Sequence, residues 1–386
     1  MANTSAAGHI SRYKEFCRER QDEMLRLLEQ MVEIESPSDN KAAVDKLGEF
    51  LAQTFRAEGG RVEIHQVEKY GNHLQIEFSG QSGRKPIMLL GHFDTVWPLG
   101  TLAKMPFRTV DDRIYGPGVL DMKASFVMVI YALRALRQRQ ANHRPISIFL
   151  DTDEEVGSSS SRAITEAIAR QCEAVLVLEP AQGQQGFLKT SRKGVGDFII
   201  RVRGVASHAG VDFEKGQSAV VELARQILEV TKFVDLKRGI TVNPGVIHGG
   251  TRSNVVAAEA WVHVDIRVAR MADKAELEQK FASLRAFNPH CQLEVTGGLN
   301  RPPMERTPGT VKLFQIAQEL AKEIGLDLGE SSTGGGSDGN FTSALGIPTL
   351  DGLGPVGEGA HAVHESILLS EWPARTALLA GLIESV

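Results

Sequence analysis

"LLGHFDTVWPLGTL", residues 89–102, decides how this chain is read. Together with the preceding "PIM" it opens as a run that is apolar on both faces, the pattern of a strand covered by helices above and below. The run then ends in His92 and Asp94, two positions apart. In an open α/β sheet ligands sit beyond the carboxyl ends of the strands, so an imidazole and a carboxylate at such an end mark a place to look for chemistry.

Working outward, "RVEIHQVE" (61–68), "NHLQIEF" (72–78), "ISIFLD" (146–151) and "AVLVLEP" (174–180) read as further strands, the last two again apolar on both faces. Amphipathic helices are predicted over residues 11–34, from about residue 39 to the "EGG" at 58–60, and over 123–139. Strands alternating with helices predict the α/β class, with a central sheet between helices. "GSSSSR" at 157–162 reads as a loop that caps the next helix.

The texture changes between residues 193 and 301. "GDFIIRVRG", "GITVNPGVIHGG" and "NVVAAEAWVHVDIRV" alternate like half-exposed strands, separated by helical segments at 217–232 and 274–287. Beyond "GGLNRPPME" the first texture returns, with a helix at 309–324, the strand "GIPTLDG" and a last helix at 371–383. A smaller α+β domain at 193–301, inserted into a larger one made of 1–192 and 302–386, is therefore expected. A chain of 386 residues is long enough for two cores.

Composition excludes several functions. A formal net charge of −5 and the lack of like-charge blocks argue against nucleic acid as a partner. The N-terminal "MANTSAAGHISRYKEF" has no basic region followed by an apolar core, and no run approaches the ~18 apolar residues of a membrane span, so a cytoplasmic home without membrane attachment is expected. Cys17, Cys172 and Cys291 are odd in number and far apart, which fits reduced thiols.

Polar residues gather at the strand ends: His92 and Asp94, then "DTDEE" (151–155), then Glu179, joined by Asp121 in "GPGVLDMK" and by "GAHAVHE" at 359–365. Each alone has an ordinary explanation: a loop histidine, a solvated acidic turn, or a strand ending before proline. Together at one rim they would repel, since two unit charges 4 Å apart cost about 4 kcal/mol even at an effective dielectric near 20. A cation must compensate. Imidazole mixed with carboxylate points to zinc or a similar transition ion rather than calcium or magnesium.

"GHFDTVWPLGT", "GPGVLDMKAS", "DTDEEVGS", "VLEPA", "RGVASHAG", "TGGGSDGNF" and "GAHAVHE" follow one another from His92 to Glu365. In this order they resemble the di-zinc amidohydrolases and exopeptidases that include glutamate carboxypeptidase, acetylornithine deacetylase, succinyl-diaminopimelate desuccinylase and aminoacylase, and they look most like the glutamate carboxypeptidase branch. The resemblance implies a zinc-exopeptidase-like catalytic domain with a mixed sheet and an inserted dimerisation or lid domain. It implies that Asp121 bridges two zinc ions, that His92 and Glu179 complete one site, and that Glu155 and His361 complete the other; cobalt or manganese would fit the same donors. It further implies Glu154 as general base on the water, a cis peptide between Asp121 and Met122, and a histidine, His208, that reaches across a homodimer to the oxyanion, with Asn254 and Arg267 nearby. A loop like that of Gly335, Gly336 and Ser337 lines the substrate pocket in the family. His364 is the rival of His361, and the family spacing selects His361.

The roles also stand on chemistry. Five ligands around two ions leave an open position for water, and a carboxylate outside the ligand set is needed to move its proton. Adjacent Glu154 and Glu155 can divide those tasks. Asp94 can accept the other ring N–H of His92 and so fix its tautomer. Arg301, at the return from the inserted domain, suits a hinge-borne grip on a substrate carboxylate; an ordinary solvent-exposed arginine is the alternative. The expected activity is hydrolysis of the amide bond of an N-acyl or short peptidyl amino acid, releasing C-terminal glutamate. A small-acyl deacylase and a non-catalytic dimeric binding protein are the other readings.

Overall fold

The computed structural model describes residues 9–386; the first eight, part of the stretch expected to carry no export signal, lie outside the described residues. The chain divides into two compact units. One takes the chain up to Ser191, then Arg306–Ser332 and Ser337–Val386; the other takes Arg192–Glu305 and Thr333–Gly336.

The first unit is built on a mixed six-stranded sheet in the order Arg61–His65, His73–Phe78, Ile146–Asp151, Ile87–His92, Ala174–Val177, Thr349–Leu350. The first two strands and the second and third pair antiparallel, and the rest pair parallel. All residues of Ile87–His92, Ile146–Asp151 and Ala174–Val177 are buried, which is why their sequences are apolar throughout. On one face Ala124–Gln138 and Trp372–Ser385 join the larger core with His9–Glu19; on the other Met88, Leu90, Phe149, Val175 and Val177 pack with Ile168, Ala169 and Cys172. His92 pairs with Asp151 in register, so the acidic segment after the one strand starts level with the histidine that ends the other.

Two local expectations change. The helix expected over 11–34 breaks at Arg20 (φ −111°, ψ 16°) into His9–Glu19 and Gln21–Val32, the second opening with Asp22 and Glu23 where its dipole favours negative charge. Ser161, before the helix Arg162–Ala169, makes no side-chain cap. The neighbouring serines hold acids instead: Ser160 gives its N–H and hydroxyl to Asp153 Oδ2 at 2.6 and 2.8 Å, and Ser158 gives its hydroxyl to Asp338.

The second unit is a four-stranded antiparallel sheet in the order Thr241–Gly249, Glu259–Val268, Gly194–Arg203, Gln292–Arg301, with Ala219–Thr231 and Ala272–Ala282 packed into its core. The strand Gln292–Arg301 is not among the expected ones, and it carries Gly297 and Gly298 within it. Both stay in register with Asp197 and Phe198, and a Cβ at Gly297 (φ +129°) would collide with the Asp197 carbonyl. The helix expected over 274–287 stops at Ala282; the Glu222 carboxylate, 1% exposed, accepts the amides of Phe287 and Asn288 at 2.9 Å each, drawing the chain out of helical form. No helix among the described residues is long and apolar enough to cross a membrane.

Candidate metal centre

His92 closes its strand with Nε2 3.1 Å from Asp121 Oδ1 and 3.5 Å from Glu179 Oε1. The other Asp121 oxygen, Oδ2, lies 3.4 Å from His361 Nε2, which is 3.2 Å from Glu155 Oε1. Two groups of potential ligand atoms result, His92 with Asp121 and Glu179, and Asp121 with Glu155 and His361, each gathered within 4.8 Å. Asp121 belongs to both. His364 is exposed and in neither.

Tight main-chain geometry delivers these side chains. Asp121 sits in the turn Val119–Lys123 behind Gly118, whose φ of +73° and whose approach to Thr95, 2.9 Å from an added Cβ, leave no place for a side chain. The Asp121–Met122 peptide is cis. His361, a non-glycine residue at φ 63°, occupies the left-handed region, a conformation that persists at sites where its surroundings impose it.

Electrostatics show what the cluster lacks. Burial disfavours a charged His92, yet its contacts with Asp121, Asp94 and Glu179 overcome that and raise its pKa well above the ordinary value. Asp121 and Glu155 push His361 up to about 10. Burial raises the pKa of Glu155, only partly opposed by His361. Burial works the same way on Asp121, but the two imidazoles hold its carboxyl ionised, its pKa lowered. In the metal-free chain the histidines thus act as the cations of an acidic site. Two neutral imidazoles and three carboxylates are a donor set that fits divalent transition ions, which would take over the charge those protons carry.

Asp94 ties the two groups together. His92 Nδ1 is 3.1 Å from the Asp94 main-chain oxygen and 3.3 Å from its Oδ1, so the ring is oriented by backbone and carboxylate of one residue rather than by the carboxylate alone. Its Oδ2 accepts from Ser38 Oγ at 2.7 Å and from the Glu155 amide at 3.3 Å.

A sequence model described as "Peptidase family M20/M25/M40" matches residues 88–385, most of the chain and all five candidate ligands. The chain belongs to this family. Carboxypeptidase G2 of Pseudomonas sp. (strain RS-16) is 30% identical over 374 residues, 95% of this chain and 89% of the relative. Succinyl-diaminopimelate desuccinylase of Acidovorax ebreus (strain TPSY) is 28% identical over 309 residues, 75% and 77% of the two chains. The solved aminopeptidase PepT of Bacillus cereus ATCC 10987 superposes with a TM-score of 0.80 at 23% identity, covering 94% of this chain and 98% of that one, a likeness of fold. As an M20/M25/M40 peptidase the chain is a hydrolase, with the candidate metal ligands of a metallopeptidase in place.

Among the other expected residues of this family member, Glu154 opens the short turn Glu154–Val156 next to Glu155 and is partly exposed. Glu365 was read only as the end of the last motif. It is fully buried, and its carboxylate accepts from the amides of Gly118 (2.9 Å), Leu120 (2.9 Å) and Asp121 (3.1 Å) and from Trp97 Nε1 (2.7 Å), bracing the Asp121 turn from the His361 loop.

Ser337, expected at the substrate, is fully buried. Its hydroxyl goes to Asp351 Oδ2 at 2.7 Å and its amide to Asn340 Oδ1 at 3.0 Å, so both donors are spent on side chains further along the chain. The remaining residues lie in the second unit. His208 is exposed, with Nδ1 accepting the Gly210 amide at 3.1 Å, and the Ala209 amide meets the Asn254 carbonyl at 3.0 Å. Arg267 pairs with Asp265 at 2.8 Å and donates to Gly334 O at 3.2 Å, while Arg192, which no motif marked, donates to the carbonyls of Gly335 (3.3 Å) and Gly336 (3.0 Å). The two arginines splint the glycine loop. Arg301 ends its strand at 8% exposure, so it is not a solvent-exposed hinge arginine.

Proposed function

We propose that this chain is a di-zinc amidohydrolase that releases a carboxyl-terminal amino acid, glutamate foremost, from an N-acyl or short peptidyl group. The observation that carries the reading is Asp121, one oxygen toward each of two His/carboxylate groups. Similarity to carboxypeptidase G2 along nearly the whole chain supports it. In this reading His92 and Glu179 hold one ion, Glu155 and His361 the other, and Asp121 both. Such ions supply Lewis acidity and lower the pKa of water. Glu154 accepts the proton of the attacking water and passes it to the departing amine. Asp94 keeps the His92 ring in the tautomer that offers Nε2. His208 donates to the oxyanion from the partner subunit of a homodimer, Asn254 and the main chain of Gly335 and Gly336 line the substrate, and Arg301 holds its side-chain carboxylate. Support for a dimer comes from Thr241–Gly249, an edge strand that carries exposed Val246 and Ile247, and from exposed Val220, Val221 and Leu228 on Ala219–Thr231.

Similarity to a desuccinylase over three quarters of both chains favours, second, a small-acyl deacylase. A panel of N-acyl glutamates, N-acyl neutral amino acids, dipeptides and acetylated or succinylated diamino acids, with amino-acid release followed on the zinc-loaded protein, decides between them. The highest kcat/KM is expected on the glutamate conjugates. A preference for acetyl or succinyl amines selects the second reading, and no hydrolysis of any member overturns both.

A further inference from the structure

Arg375 is a buried charge that no part of the proposed chemistry uses. It lies in Trp372–Ser385, is 2% exposed, and meets main-chain oxygens: Nε reaches Gly354 O at 3.2 Å, Nη1 Gly186 O at 2.9 Å and Nη2 Gly352 O at 2.5 Å. Burial lowers its pKa only to about 10, so the guanidinium stays charged at neutral pH. A buried cation is a poor device for stability, since apolar side chains of similar volume fill such space without desolvating a charge. What a guanidinium does that an apolar side chain cannot is hold several carbonyls in one fixed fork.

Those carbonyls belong to a segment pressed against Glu179. The Gly354 amide donates to Glu179 O at 2.8 Å, Leu353 to Val177 O at 3.2 Å, and Ala181 to Pro355 O at 3.0 Å. A Cβ at Gly354 would stand 2.5 Å from Leu178 O and 2.8 Å from Glu179 O, so the two backbones touch directly. Ser125 Oγ, 2.6 Å from the same added Cβ, donates to Leu178 O at 2.6 Å. The backbone that launches the Glu179 side chain is thus held by Ser125 and by the segment around Gly354, whose carbonyls Arg375 grips.

We infer that Arg375 is a positioning residue for Glu179: by tying Gly186, Gly352 and Gly354 together it sets where the Glu179 carboxylate stands beside His92. The inference rests on the reading of Glu179 as a metal ligand. It assigns a role at the metal centre to the C-terminal helix, which carries none of the candidate ligands.

The test uses the full chain loaded with zinc and four variants: Arg375→Lys, Arg375→Met, Glu179→Gln, and Leu379→Ala as a control, a cavity in the same helix at a residue with no exposure. Zinc dissociation constants are measured by competition with a chromophoric chelator, denaturation midpoints on the metal-stripped chains, and absorption spectra on the cobalt-loaded ones. Arg375→Lys, which keeps the charge but loses the fork, should weaken one of the two zinc sites by about 10- to 100-fold, the usual effect of removing a partner behind a ligand, and alter the cobalt spectrum. Glu179→Gln should weaken the same site. Leu379→Ala should lower the denaturation midpoint and leave both zinc constants and the spectrum alone. If the Arg375 variants follow the control, losing stability but no zinc affinity, the inference is overturned. If Glu179→Gln leaves both zinc sites intact, the assignment of Glu179 itself falls, a distinct outcome. Should Arg375→Met fail to fold, Arg375→Lys decides alone.

Discussion

Asp121 divides its carboxylate between two histidines, Oδ1 3.1 Å from His92 Nε2 and Oδ2 3.4 Å from His361 Nε2. A single residue therefore belongs to both candidate ligand groups, and its loss should differ in kind from the loss of any other candidate ligand. Metal per chain, measured by elemental analysis after dialysis, should fall to near zero in Asp121→Asn. Glu179→Ala and His361→Ala should each retain one ion. Equal losses in all three would mean that the two groups are not separate sites.

Glu154→Gln removes a carboxylate while keeping its size. Metal content should stay at the wild-type value while kcat falls by at least the ~10² typical of losing an acid/base group. Loss of metal would instead exchange the roles of Glu154 and Glu155.

The sequence made legible what depends on short-range pattern. Continuous apolar runs marked the three central strands, and because those strands are parallel their carboxyl ends bring His92, the segment after Asp151, and Glu179 to one rim. What it hid depends on main-chain partners. Glu365 is held by three amides and an indole, and Arg375 by three carbonyls, partners that leave no side-chain signature. The strand Gln292–Arg301 was not named from the sequence, and its Gly297 serves a close approach to the Asp197 carbonyl rather than a turn. Ser337 was placed at the substrate by the likeness of its glycine-rich loop to the family's, a pattern that carries no sign of the bond from its hydroxyl to Asp351.

The raised histidines give the metal-stripped chain a pH signature. His361, with an ordinary value of 6.5, is pushed up to about 10 by Asp121 and Glu155, so the folded chain holds this proton more tightly than the unfolded one. That stabilisation is complete below pH 6.5 and is lost as the pH climbs toward 10. Lys123 acts in the opposite sense: burial lowers it from 10.5 to about 8, so above pH 8 its deprotonation favours the fold. Between pH 6.5 and 8 the imidazoles dominate, and the Tm of the stripped chain should fall across that window, while the zinc-loaded chain, whose ions replace the protons, should not follow. A Tm that rises or stays flat in the stripped chain would contradict the assignment.

Glu365→Gln replaces an anionic acceptor of four donors with an amide that has one acceptor oxygen and turns an NH2 group toward backbone N–H groups. Leaving a buried donor unsatisfied costs about 1 to 3 kcal/mol, which urea denaturation should detect. Because the Asp121 amide is among the donors, zinc affinity should drop with stability. A variant that loses stability but binds zinc normally would confine Glu365 to the fold.

His208 accepts the Gly210 amide at Nδ1, 3.1 Å away, so in its neutral form the ring proton sits on Nε2 and makes that atom a donor. A donor on an exposed side chain suits a developing oxyanion, where removing one hydrogen bond typically costs on the order of 10² to 10³ in kcat. His208→Ala should show that loss with an unchanged denaturation midpoint and unchanged metal content. If the histidine serves the partner's site, mixing His208→Ala with Glu154→Gln creates heterodimers in which one site has both an intact base and an intact donor. Activity should then reappear as subunits exchange, at up to half the wild-type sites per heterodimer, and vanish again if exchange is blocked by cross-linking before mixing. Heterodimers that form, as seen by native mass spectrometry, yet stay inactive would show that His208 works within its own chain or outside the reaction.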